Sequence, residues 1–128
     1  MTITTQRPRI RAVEASSTVP RANRILVLDL DASQVVAGGL RVDLTPVQFR
    51  VLRYLLRRAT VTIPVEELWQ FVWRAPYNPQ AVDLVRVHIY LLRRRLELLV
   101  AQGWLRIDTV HGHGYRVMLG MEVTFEES

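Results

Sequence analysis

The stretch "VRVHIYLLRRRLE", Val85 to Glu97, decides how the chain folds. At about 100° per residue, Val85, Ile89 and Leu92 fall in one stripe, which Leu96 and Leu99 prolong. A stripe of this width predicts a helix with its apolar side in a core. The opposite side centres on Val87, Leu91 and Arg94, flanked by Leu84, Tyr90, Arg95 and Leu98. Arg86 and Arg93 lie on one side of the stripe and His88 on the other. A wet face that carries guanidinium groups and leucines together suits a polyanion with apolar features, or another protein. Both readings stay open at this point.

The segments around this helix follow from their breakers. The helix is expected from about Gln80 to Leu99, with Gly103 ending it. Beyond it, "WLRIDTV" and "YRVML" read as strands joined by "HGHG", a hairpin with glycines at the turn. Before it, Pro76 and Pro79 in "RAPYNPQ" stop any helix. "VTIPVEELWQFVW" then predicts a second helix. It starts at Pro64, places Glu66 and Glu67 at the positive end of its dipole, and turns Leu68, Trp69 and Val72 inward. "TPVQFRVLRYLLRRA" predicts a first helix to about Arg58. Thr45 caps it, Pro46 is its first residue, Gln48 completes a capping box, and Phe49, Leu52 and Leu56 face the core. Further upstream, "ILVLDLDASQVVAGGLRVDL" alternates between turn signals at Asp31–Gln34 and Gly38-Gly39. Three or four short antiparallel strands are expected there, with Leu26, Leu28 and Leu30 on one face and Val42 and Leu44 in the last.

Two ends remain. Residues 1–24 read as a mobile basic arm, with five arginines against Glu14 and little apolar content to drive packing. Residues 120–128 form an acidic tail that either adds a strand or frays.

Composition narrows the function classes. At 128 residues the chain is one domain, able to bury a core without staples. It has no cysteine, which excludes a disulfide framework, thiol catalysis and a Cys-type zinc site, and suits a reducing, cytoplasmic setting. No run of about 18 apolar residues predicts a membrane helix. The first residues carry no apolar core of a secretory signal. The net charge is +5, and all 17 basic residues are arginine. Such a balance favours an anionic partner, and guanidinium forks match phosphate oxygens and guanine edges.

Catalytic and metal chemistry find little support. His111 and His113, with His88 as a third ligand, lack an accompanying carboxylate pattern. The serines are few and sit in tails or turns, and Gly38-Gly39 lacks the lysine and helix of a phosphate loop. The expectation is a protein without enzyme activity, cofactor or metal.

The order is therefore α+β: a small N-terminal antiparallel sheet, three helices and a C-terminal hairpin. A helix-turn-helix followed by a hairpin is the winged-helix plan. Over residues 25–119 the blocks "LTPVQFRVLRYLL", "VEELWQFVW", "VRVHIYLLRRRLE" and "IDTVHGHGYRV" resemble the OmpR/PhoB-type winged-helix effector domain of bacterial response regulators, proteins of two-component systems. The ending Thr109 to Arg116 is the sharpest part of the likeness. No phospho-acceptor domain precedes these blocks in the chain.

The resemblance implies sequence-specific binding of double-stranded DNA, with the third helix in the major groove and the hairpin wing in the minor groove. Carried over position by position, the DNA-facing residues are Arg86, His88, Tyr90, Leu91, Arg93, Arg94, Arg95, Thr109, His111 and Arg116. The arginines would hold phosphates, and Arg94 or Tyr90 would reach bases. Two positions depart from the pattern. Leu91 stands where relatives such as PhoB carry a base-reading arginine, and His111 where the wing arginine sits. Apolar contacts with thymine methyls are physically open to such a helix. The loop after the second helix touches RNA polymerase in this family, which singles out Trp73, Arg74 and Tyr77. A second copy bound in tandem on DNA is a further implied partner. The alternative is a protein–protein interaction module on the same scaffold.

Overall fold

Alternating apolar residues build the first layer. The computed structural model describes residues 24–128. Strands β1 (Arg24–Asp29), β2 (Gln34–Ala37) and β3 (Leu40–Asp43) pair antiparallel, with Leu28 opposite Val35 and Val35 opposite Val42. Leu26, Leu28, Val35 and Ala37 bury their side chains on one face. Leu30, expected beside them, lies beyond the end of β1 and is 38% exposed. The expected arm, residues 1–24, lies outside the described residues apart from Arg24. That residue opens β1, donates to the Gln102 carbonyl oxygen at 3.2 Å and lies 4.4 Å from the Trp104 ring centroid.

The helices follow their signals closely. In α1 (Pro46–Arg57) Thr45 and Gln48 form the reciprocal capping box, and Phe49, Leu52 and Leu56 are buried. Helix α2 (Val65–Trp73) buries Leu68, Trp69 and Val72. It ends at Arg74, whose left-handed φ of 56° turns the chain into the loop before α3 (Ala81–Arg95). The third helix is not continuous to Leu99. It closes at Leu96, and a separate turn, α4 (Glu97–Ala101), carries the stripe on, so that Leu96 and Leu99 remain buried. Gly103, at φ +78°, ends α4; its N–H meets the Val100 carbonyl and the Trp104 N–H the Leu99 carbonyl.

Strands β4 (Leu105–Val110) and β5 (Gly114–Leu119) form the expected hairpin, with Asp108 opposite Arg116. Ile63 pairs with Tyr115 through two backbone hydrogen bonds of 2.7 and 3.0 Å, which seats the hairpin on the α1–α2 connection. Gly114 permits this approach. A Cβ there would lie 2.0 Å from the Ile63 carbonyl oxygen, and the φ of +152° also suits glycine.

Of the two fates expected for residues 120–128, adding a strand or fraying, the structure shows the strand. Strand β6 (Val123–Glu127) pairs parallel with β1, so the first sheet has the order β3-β2-β1-β6 and is mixed. Val123 is buried, and Glu127 reaches Arg53 and Arg57 on α1 at 3.0 and 2.6 Å. These two guanidinium groups, Arg57 foremost, hold the Glu127 carboxyl down to about 2. Glu127 thus anchors the strand to α1.

Candidate nucleic-acid interface

Helix α3 and the hairpin stand side by side, joined by the first residue of the arginine run. Arg93 donates to the Ile107 carbonyl oxygen at 3.0 and 2.7 Å and to Thr109 Oγ1 at 2.9 Å. Its guanidinium also lies 5.9 Å from the Tyr115 ring centroid. Arg95 turns the other way and donates to the Asp43 carbonyl oxygen at the end of β3, at 3.0 and 2.5 Å. Arg94 alone of the three keeps to the outer face, bonded to Tyr90 Oη at 3.1 Å and 3.5 Å from Glu97. Three adjacent residues project about 100° apart, which sends these arginines to three different neighbours.

The outer face of α3 is otherwise apolar. Leu84, Val87, Tyr90 and Leu91 are 44, 52, 55 and 43% exposed. Arg86 is held by Asp83 at 2.9 Å, one turn before it. The His88 Nδ1 lies 2.8 Å from the Leu84 carbonyl oxygen, and its ring meets Trp73 edge-on at 5.1 Å. His88 is thereby folded against α2 and away from the centre of the outer face.

The hairpin contributes cations around one acid. Asp108 is bonded by Arg106 at 2.9 Å and Arg116 at 3.3 Å, and both arginines remain well exposed. Arg106 is a residue the sequence reading missed. The period of two that exposes Asp108 also exposes Arg106, so the signal was present. His111 is exposed at the hairpin turn, where a Val110–His113 backbone bond of 2.9 Å closes the loop. Between α2, α3 and the turn runs an open cleft of about 700 Å³. Arg86, Arg93, Thr109, His111, His113 and Tyr77 are among its lining residues.

The residues singled out for a polymerase contact divide. Trp73 is partly buried and stacks on Trp69 with ring centroids 4.9 Å apart, while the Trp69 indole N–H donates to the Pro76 carbonyl at 3.0 Å. Tyr77 is 39% exposed, and Arg74 occupies the helix end described above. Among the described residues, no three histidine or acidic side chains cluster as metal ligands would. No described helix is long and apolar enough to cross a membrane.

The comparisons with known proteins agree with this geometry. Residues 39–117 match the family described as "Transcriptional regulatory protein, C terminal". The chain is 31% identical over 97 residues to the transcriptional regulatory protein ResD of Bacillus subtilis, covering 76% of this chain and 40% of that protein. It is 34% identical over 90 residues to the two-component response regulator PhoP of Pseudomonas aeruginosa, covering 70% and 39%. The chain therefore spans about two fifths of the length of these relatives. Among solved structures, it resembles the DNA-binding domain of Klebsiella pneumoniae RstA in complex with the RstA box. The TM-score is 0.58 at 28% identity, covering 71% of this chain and 88% of that one. The DNA-binding domain of Bacillus subtilis CssR shares the fold, with a TM-score of 0.61 at 24% identity over 73% of this chain and 99% of that one.

Proposed function

The chain belongs to the family of C-terminal domains of transcriptional regulatory proteins, and we propose that it binds double-stranded DNA without chemistry of its own, as part of a cytoplasmic two-component regulator. Helix α3 would lie in the major groove and the β4–β5 turn in the adjacent minor groove. The observation that carries this reading is the junction at Arg93. It joins α3 to the hairpin as one body, so that Arg94 on the helix and Arg106 and Arg116 on the hairpin are held in fixed relation.

The exposed pairs in this surface suit the task. Arg94 with Glu97 and Arg86 with Asp83 are exposed ion pairs, and the half-buried Asp108 holds Arg106 and Arg116. Such pairs contribute little to stability and exchange readily for phosphate oxygens. Arg93 and Arg95, each bonded to a backbone carbonyl, act as supports. Within the same reading, Tyr77 and Arg74 are the residues of the α2–α3 loop offered to RNA polymerase, and Trp73 is its internal anchor. A second copy in tandem on the DNA completes the set of proposed partners.

Salt titration tests the proposal. Binding to duplex DNA should weaken with a log–log slope of roughly −4 to −7, as about 5–8 phosphate contacts give. Absence of binding at low salt, or a slope near zero, rejects it in favour of a protein–protein module.

A further inference from the structure

The outer face of α3 has an unusual supply of contacts for a helix in the major groove. Its centre carries Val87 and Leu91 with Arg94, and Leu84 flanks them; the three apolar side chains are 43–52% exposed. The polar side chains that could read base edges are already engaged. Arg93 and Arg95 are bonded to backbone carbonyls, and His88 is folded back on the Leu84 carbonyl and Trp73. Arg94 is bonded to Tyr90 on the flank of this face. What remains unengaged around Arg94 is a row of methyl groups.

In the major groove, the one apolar feature of a base-pair edge is the 5-methyl group of thymine. We infer that Leu84, Val87 and Leu91 are the specificity-determining residues of this domain, and that they read the 5-methyl groups of neighbouring thymines. This inference rests on the DNA reading above and names the bases it selects. The spacing supports a short thymine run. Val87 and Leu91 are one turn apart, about 6 Å along the helix axis. Base pairs rise about 3.4 Å, so the two side chains are separated by about two base steps.

The surroundings favour DNA over a protein as the occupant. Arg86 and Arg94 stand on the same helix, each in an exposed pair whose carboxylate, Asp83 or Glu97, can give way to a phosphate oxygen. A stable protein interface needs about 800 Å² per partner and a core poor in charge. Leu84, Val87, Tyr90 and Leu91, interrupted by the charged Arg94, do not supply that.

The test uses the full chain and duplexes selected by it from a random pool. Each thymine of the selected site is replaced in turn by deoxyuridine, which lacks only the methyl, and by 5-bromodeoxyuridine, which puts a methyl-sized bromine in its place. Each contacted methyl should lower affinity about fourfold when removed, the usual value of burying one such group, with bromine restoring it. In the triple variant Leu84→Ala, Val87→Ala, Leu91→Ala the uridine effect should vanish while binding to unrelated duplex is kept. A wild type indifferent to uridine, or a variant that keeps the full uridine effect, overturns the inference. So does a selection that returns no thymine preference. Failure to bind any duplex at low salt overturns the DNA reading itself. A change of oligomeric mass in the variant, with selected sites unchanged, makes the strip a protein contact.

Discussion

Arg93 donates both of its nearest guanidinium nitrogens to the carbonyl oxygen of Ile107, so the last turn of α3 and the first strand of the hairpin move together. A residue that looks like a phosphate ligand is a structural brace. Arg93→Gln should lower stability by about 1–2 kcal/mol, since a charged donor leaves two partners unmet. The salt slope for DNA should change little, whereas Arg94→Gln should reduce it by about 1. Denaturant unfolding and salt titration of both variants check the division. Equal loss of slope in the two would place Arg93 on the DNA.

Gly114 should be intolerant for a steric reason. Its Cβ would enter the Ile63 carbonyl, breaking the bridge that seats the hairpin. Gly114→Ala should cost about 2–4 kcal/mol, as expected for strain plus a broken buried contact. Gly112→Ala, at φ +76° but in open space, should cost only about 1 kcal/mol. Thermal unfolding of the two proteins measures the difference.

The β6 anchor predicts a limb in the stability–pH curve. The Glu127 carboxyl is held at about 2 by Arg57 and Arg53, well below its ordinary 4.5. A lowered folded value means that the ionised form stabilises the fold. That contribution is fully present above about pH 4.5 and is lost as the pH falls toward 2. Unfolding by guanidinium at pH 7, 4 and 3 should show the decline, and Glu127→Gln should flatten this part of it. An unaltered acid limb in the variant would assign the decline to other carboxylates.

The core stripe and the outer strip of α3 should respond oppositely. Ile89→Ala removes a side chain that is 1% exposed and should cost about 2–5 kcal/mol. Leu91→Ala removes one that is 43% exposed and should change stability by less than about 1 kcal/mol. Paired unfolding curves decide; a large loss at Leu91 would show packing against something within the chain.

The elements were largely legible because each carries a local cause. The capping box at Thr45 and Gln48, the period of Val85, Ile89 and Leu92, and the Gly103 stop act within a few residues, so the sequence by itself determined the helices and the hairpin. Tertiary structure decided what depends on distant partners. Whether "EVTFEES" frays or pairs turned on the open edge of β1 and on Arg53 and Arg57, some seventy residues away. The break at Leu96 kept Leu99 in the core. The fates of Arg93, Arg94 and Arg95 differ because one meets the Ile107 carbonyl, one the Tyr90 hydroxyl and one the Asp43 carbonyl. Helical period sets the directions in which three such neighbours point. Only the packed fold sets what waits there, since a guanidinium bonds whichever acceptor the chain brings within 3 Å of it.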